Sequence, residues 1–139
     1  MNLNAEKYRK DPYTYTEVVL DRLINEYKKY GKIIVAYDFD GTVYDFHNEG
    51  YKYPRVMSLL KELRPYAHFV VYSASKEERY PMMKEYLEEN GLPFNSINEN
   101  IPGLNIPNGK KLYYNIFLDD RAGLGESVYI LEEFLNEVK

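Results

Sequence analysis

The chain has 139 residues, enough for one domain that buries a proper core. It holds no cysteine and two histidines, which excludes disulfides, a thiolate nucleophile and a cysteine zinc site and argues against a histidine-rich metal centre. The net charge of -4 argues against broad nucleic-acid binding; with no run near the roughly 18 apolar residues of a membrane span and no signal-peptide pattern, a cytoplasmic protein without a membrane partner is expected.

Residues 1–13 are mostly polar and read as a loosely docked arm. Thr14 and Glu17 form a candidate capping box for a helix over 15–30, with Leu20, Leu23, Ile24 and Tyr27 as its apolar stripe and Gly31 as its stop. Ile33 to Tyr37 is an almost uninterrupted apolar run, the pattern of a parallel strand buried on both faces. It runs into Asp38 and Asp40 and then a Gly41-Thr42 turn. Strand alternation sends both carboxylates to one side and Phe39 to the other. Two carboxylates on one face are costly unless a cation lies between them, so the local reading is a hard-metal site, with Mg²⁺ the best fit to oxygen ligands.

Residues 43–53 alternate apolar and polar around Asn48-Glu49-Gly50, which predicts a small hairpin or flap over the sheet edge. Pro54 suits the first turn of a helix with Val56, Leu59, Leu60 and Leu63 buried, ended by Pro65. His68 to Ser73 reads as the next strand, followed by a helix from about Lys76 with Met83, Tyr86 and Leu87 inward and Asn90-Gly91 as its stop. Phe94 to Ile97 is a candidate short strand. Residues 98–110, with two prolines, two glycines and four asparagines, read as one long lid or binding loop. Tyr114 to Leu118 is another apolar strand, tipped by Asp119-Asp120, and 124–138 closes the chain as an amphipathic helix.

Alternating strands and helices with parallel-type apolar strands predict a single three-layer α/β/α domain, Rossmann-like, with a mainly parallel sheet. Open sheets of this kind place ligands at the carboxyl ends of their strands. Asp38, Asp40, Asp119, Asp120, the Ser73 hydroxyl and a lysine from Lys110-Lys111 can gather there, an inventory suited to phosphate chemistry. A nucleotide-binding Walker arrangement is excluded, because Gly109-Lys110-Lys111 lacks both the hydroxyl and the spacing.

Asp38-Phe39-Asp40-Gly41-Thr42-Val43 resembles the first motif of the haloacid dehalogenase-like (HAD) phosphohydrolase superfamily. Ser73 after its strand is similar to the second motif, Lys111 to the third and Asp119-Asp120 to the fourth, in the family order. The resemblance covers about residues 33–135, and 91–100 with 111–121 resemble a group of small bacterial and phage members that lack a cap domain. The intervals at 43–53 and 98–110, where larger relatives insert a cap, are too short for one here.

The resemblance implies a Mg²⁺-dependent phosphatase. Asp38 is the implied nucleophile, forming an aspartyl-phosphate, and Asp40 the general acid and base. Ser73 is implied to bond a phosphoryl oxygen, with Ser75 as the alternative, and Lys111 to neutralise phosphate, with Lys110 and Lys76 as competitors. The implied metal set is Asp38, Asp119 and the main-chain carbonyl of Asp40, with Asp120 ligating directly or through water or else orienting Lys111. Arg121 reads either as a salt-bridge residue or as a substrate contact. Tyr44, Phe46, Tyr51 and Tyr53 either stack on a nucleobase or sugar or pack on their own hairpin. The expected partner is a phosphorylated substrate, whether nucleotide, nucleic-acid end, sugar phosphate or phosphoprotein, with a homo-oligomer as a way to close an open site. A phosphotransferase, a receiver-like module and a non-catalytic phosphate-binding module are the competing readings.

Overall fold

The computed structural model describes residues 6–139; the beginning of the expected N-terminal arm, residues 1–5, lies outside them. Four strands, β1 (Ile33–Tyr37), β2 (Ala67–Val71), β3 (Ser96–Ile97) and β4 (Ile116–Leu118), form one all-parallel sheet in the order β3-β2-β1-β4. The register pairs Tyr37 with Val71 on one side and with Leu118 on the other. The three strands therefore end level, and Asp38, Tyr72 and Asp119 leave the sheet at one edge. This is the expected Rossmann-like α/β domain. Among the described residues no helix is long and apolar enough to cross a membrane.

Period-two alternation divides the core. Ile33, Val35 and Tyr37 of β1 point to a face covered by α2 (Thr16–Tyr30), α3 (Pro54–Glu62), α4 (Tyr80–Glu89) and α5 (Leu124–Val138), where they meet Leu23, Leu60, Met83, Leu131 and Phe134. Ile34 and Ala36 point the other way, with Val70 and Phe117, and no helical residue belongs to that apolar cluster. Ile101, Leu104, Ile106 and Leu112 cover it instead. The long loop thus forms a layer over the sheet, because its isolated apolar residues are spaced widely enough to reach down from an irregular backbone.

Asparagine side chains supply acceptors where strand pairing stops and within the irregular layer. Asn115 Oδ1 accepts the Ile34 amide at 2.6 Å and Asn95 Oδ1 the Phe69 amide at 2.7 Å. Asn100 Oδ1 accepts the Tyr113 amide at 2.9 Å, closing the loop on itself.

Several local expectations differ. The helix over 15–30 starts at Thr16 with Tyr15 as its N-cap, and no side chain caps it. Thr14 is turned back to bond the Asp11 carbonyl at 2.8 Å, and Glu17 accepts from Tyr8 at 3.0 Å, so the capping box does not form. Tyr8, on the short helix α1 (Glu6–Lys10), also packs edge-on against Tyr15, which docks this part of the arm. The 43–53 segment carries no strand pair and is a flap rather than a hairpin. Asp45 holds it by accepting the amides of Glu49 at 3.0 Å and Gly50 at 2.7 Å. The helix expected from about Lys76 opens as a 3-10 turn, Glu77–Arg79, before α4. No helix or paired strand occupies 43–53 or 98–115, so neither interval builds a cap.

Candidate functional site

β1 and β4 deliver their acids to the same place because they are hydrogen-bonded neighbours: the Asp38 amide donates to the Leu118 carbonyl at 2.9 Å. Asp119 and Asp120 are adjacent, and in a continuing strand they would diverge. The strand has already ended at Leu118, and a turn in which the Arg121 amide bonds Asp119 Oδ1 at 3.0 Å brings both toward Asp38. Thr42, fully buried, ties the two turns together. Its hydroxyl accepts the Asp120 amide at 3.1 Å and donates to Asp120 Oδ1 at 3.3 Å. Gly41 has φ +80°, and a Cβ there would stand 2.8 Å from Asp120 Oδ2. The glycine is required by both conformation and space.

One carboxylate oxygen from each of Asp38, Asp119 and Asp120 lies within 4.8 Å of the others. Among the described residues none of the three has a cationic side chain as an ion-pair partner. Burial, with Asp119 and Asp120 adding to it, pushes the Asp38 carboxyl up to about 7 against the pull of the Phe39 amide. Three mutually repelling hard oxygen donors with no cationic partner are the chemistry that a Mg²⁺-like cation fits.

Asp40 is handled differently. Arg79 grips its carboxylate with two nitrogens, at 2.5 and 3.0 Å. The Asp40 carboxylate in turn holds the Arg79 guanidinium more firmly protonated. Asp40 is outside the acidic trio, so the expectation of Asp40 as a metal residue is confined to its main-chain carbonyl. The same Arg79 Nη1 donates to Ser75 Oγ at 2.5 Å, and Ser73 Oγ donates to Ser75 Oγ at 2.9 Å. Both candidate serines thus belong to one chain of bonds leading to Asp40. Asn98 anchors it, accepting the Ser73 amide at 2.8 Å while donating to Tyr80 Oη at 2.8 Å.

Asp38, Asp40, Ser73, Asp119 and Asp120 line one cleft of about 1010 Å³ at the carboxyl edge. Lys111 is not brought to it. Its ammonium lies 5.5 Å from the centre of the Tyr114 ring, which packs against Tyr72 and Phe117 of the cleft wall, so the lysine stands one ring removed. Lys76 and Lys110 do not line the cleft either, whereas Arg121 does, and it makes no ion pair among the described residues. The flap aromatics divide. Tyr44 stacks on Phe39 at 4.9 Å and meets Tyr86 at 5.0 Å as part of the core, while Phe46, Tyr51 and Tyr53 line the cleft.

Sequence reasoning missed Arg79 and the anchoring role of Asn98. No sequence signal marked Arg79: its place at the start of α4 is set by the fold, and it reaches Asp40 across 39 positions. Asn98 has φ +55°, and nothing in the residue order distinguishes it from the other loop asparagines.

A solved structure of a conserved protein from Bacteroides thetaiotaomicron is similar to this chain. The identity is 27% and the TM-score 0.61, over 78% of this chain and 93% of that one. No protein-family model matches the sequence, and no curated protein does.

Proposed function

We propose that the chain is a Mg²⁺-dependent phosphomonoester hydrolase acting through an aspartyl-phosphate on Asp38. The observation that carries this reading is the meeting of Asp38, Asp119 and Asp120 within 4.8 Å, beside an Asp40 that is oriented by Arg79. The HAD resemblance of the four motif segments supports it in the same order along the chain. Asp38, Asp119, Asp120 and the Asp40 main-chain carbonyl would hold Mg²⁺, which would supply positive charge to phosphoryl oxygens that otherwise repel a carboxylate.

In the first half-reaction a carboxylate oxygen of Asp38 attacks phosphorus and the bond from phosphorus to the leaving oxygen breaks. Asp40 gives its proton to that oxygen, which leaves as an alcohol. In the second, water attacks phosphorus, Asp40 takes the water's proton, and inorganic phosphate leaves with Asp38 restored as a carboxylate. Ser73, turning its hydroxyl from Ser75 to the substrate, or Ser75, whose own proton is uncommitted, donates to a phosphoryl oxygen, and Arg121 supplies charge at the cleft wall. Arg79 is a positioning residue that keeps the Asp40 carboxyl aimed between the two proton transfers.

Hydrolysis of p-nitrophenyl phosphate with Mg²⁺, with EDTA, and in Asp38→Asn and Asp40→Asn tests the proposal. Turnover that needs Mg²⁺ and both aspartates is expected. A folded protein with neither turnover nor Mg²⁺ binding overturns it. A phospho-protein that persists after acetyl phosphate treatment makes it a signalling module instead.

A further inference from the structure

From the cleft geometry, and resting on the phosphatase reading, we infer that the substrate is a nucleoside monophosphate whose base stacks on Phe46. The general acid must lie beside the leaving oxygen, so whatever flanks Asp40 on the cleft side faces the leaving group. Phe46 lines the same cleft and is joined to Asp40 through Arg79. The Arg79 guanidinium that grips Asp40 at 2.5 Å also lies 5.4 Å from the centre of the Phe46 ring. Phe46 is nevertheless 54% exposed. The ring meets the Arg79 cation and, edge-on at 5.0 Å, the His47 ring, yet more than half of Phe46 stays open, a surface for a flat group. Tyr51, 58% exposed, stands in the same cleft as a second aromatic surface. Large aromatics left open beside an acid are costly to solvate and are a recurring feature of binding sites.

Two further observations narrow the class. The ring is set one guanidinium away from Asp40, which suits a base separated from the ester by a sugar and not a ring bonded directly to the ester oxygen, as in phosphotyrosine. The charge balance disfavours a polyanion. Asp45 and Glu49 join Asp38, Asp40, Asp119 and Asp120 along the cleft, against Arg121 and an Arg79 already engaged with Asp40. Even a divalent cation leaves such a cleft negative, so every further phosphate is penalised and one phosphate with an uncharged remainder is favoured over a nucleic-acid end.

The test compares kcat/KM for adenosine 5′-monophosphate and uridine 5′-monophosphate with that for ribose 5-phosphate. The base-bearing substrates are expected to be better by about tenfold or more. Phe46→Ala should collapse that ratio toward one, and Phe46→Trp should restore it. Equal rates for ribose 5-phosphate, or a ratio indifferent to Phe46, overturn the inference. So does a preference for phosphotyrosine or for a 5′-phosphorylated oligonucleotide over the mononucleotides. Should no phosphate ester turn over, the catalytic reading fails separately, and adenosine without phosphate or Mg²⁺ is titrated by NMR. Shifts at the Phe46 ring that vanish in Phe46→Ala sustain the base site, and their absence overturns it.

Discussion

The two banks of the cleft treat negative charge in opposite ways. On the strand side, Asp38, Asp119 and Asp120 converge with no cationic partner among the described residues, and the Asp38 carboxyl is pushed up to about 7. On the flap and α4 side Asp40 and Asp45 are already answered. Asp40 is held by Arg79, and the amides of Glu49 and Gly50 hold the Asp45 carboxyl below its ordinary value. The difference separates a bank built to receive a cation from one built to hold its shape without it. Strand ends impose the first arrangement, since rigid hydrogen-bonded neighbours cannot move their acids apart. The flap turn instead brings its own amides to Asp45.

The comparison is broken most severely by removing a strand-side acid. Asp119→Asn should weaken Mg²⁺ binding and lower turnover by about a thousandfold, as expected if the lost charge stabilisation is several kcal/mol. Isothermal titration with Mg²⁺ and steady-state kinetics check both. On the other bank, Arg79→Met leaves Asp40 free to swing and should reduce kcat by about 10- to 100-fold, more than it changes KM. Arg79→Lys should recover only part, because a lysine cannot make the two-nitrogen grip.

Gly41→Ala probes the geometry that keeps the trio together. A methyl group 2.8 Å from Asp120 Oδ2, at φ +80°, should cost about 1–3 kcal/mol of stability, read by denaturant unfolding. The pH response sharpens the contrast further. Asp38 has its carboxyl raised from 3.8 to about 7, so the folded state holds a proton that the unfolded chain has lost across that window. Its contribution is fully present below 3.8 and disappears as pH rises through about 7. Screening by solvent at this half-exposed group reduces the effect, and the metal-free protein should melt about 3–6 °C lower at pH 8 than at pH 5. Mg²⁺ or Asp38→Asn should flatten that slope. Asp45 works in the other sense, its bonds failing only as pH falls through the carboxylate range. Asp45→Ala should loosen the flap and raise KM for a base-bearing substrate a few-fold, with little change in kcat.

Much of this architecture is local information. The apolar run Ile33 to Tyr37, the helix stripe ended by Gly31, and the acids that follow two strands depend on periodicity and on neighbours a few residues away. Sequence by itself therefore determined a parallel α/β sheet with acids and Ser73 at its carboxyl edge, and the absence of room for a cap. Tertiary structure alone decided what each of those groups touches. Arg79 reaches Asp40 across 39 positions and Thr42 reaches Asp120 across 78, contacts that exist only once β1, β4 and α4 are assembled. Lys111 matched its motif by spacing, yet the loop spends its residues covering the second sheet face and leaves the lysine over Tyr114. Residue order sets which backbone forms, but side-chain partners far apart in the chain are chosen by packing, and so the charge balance of the cleft became visible only in the folded molecule.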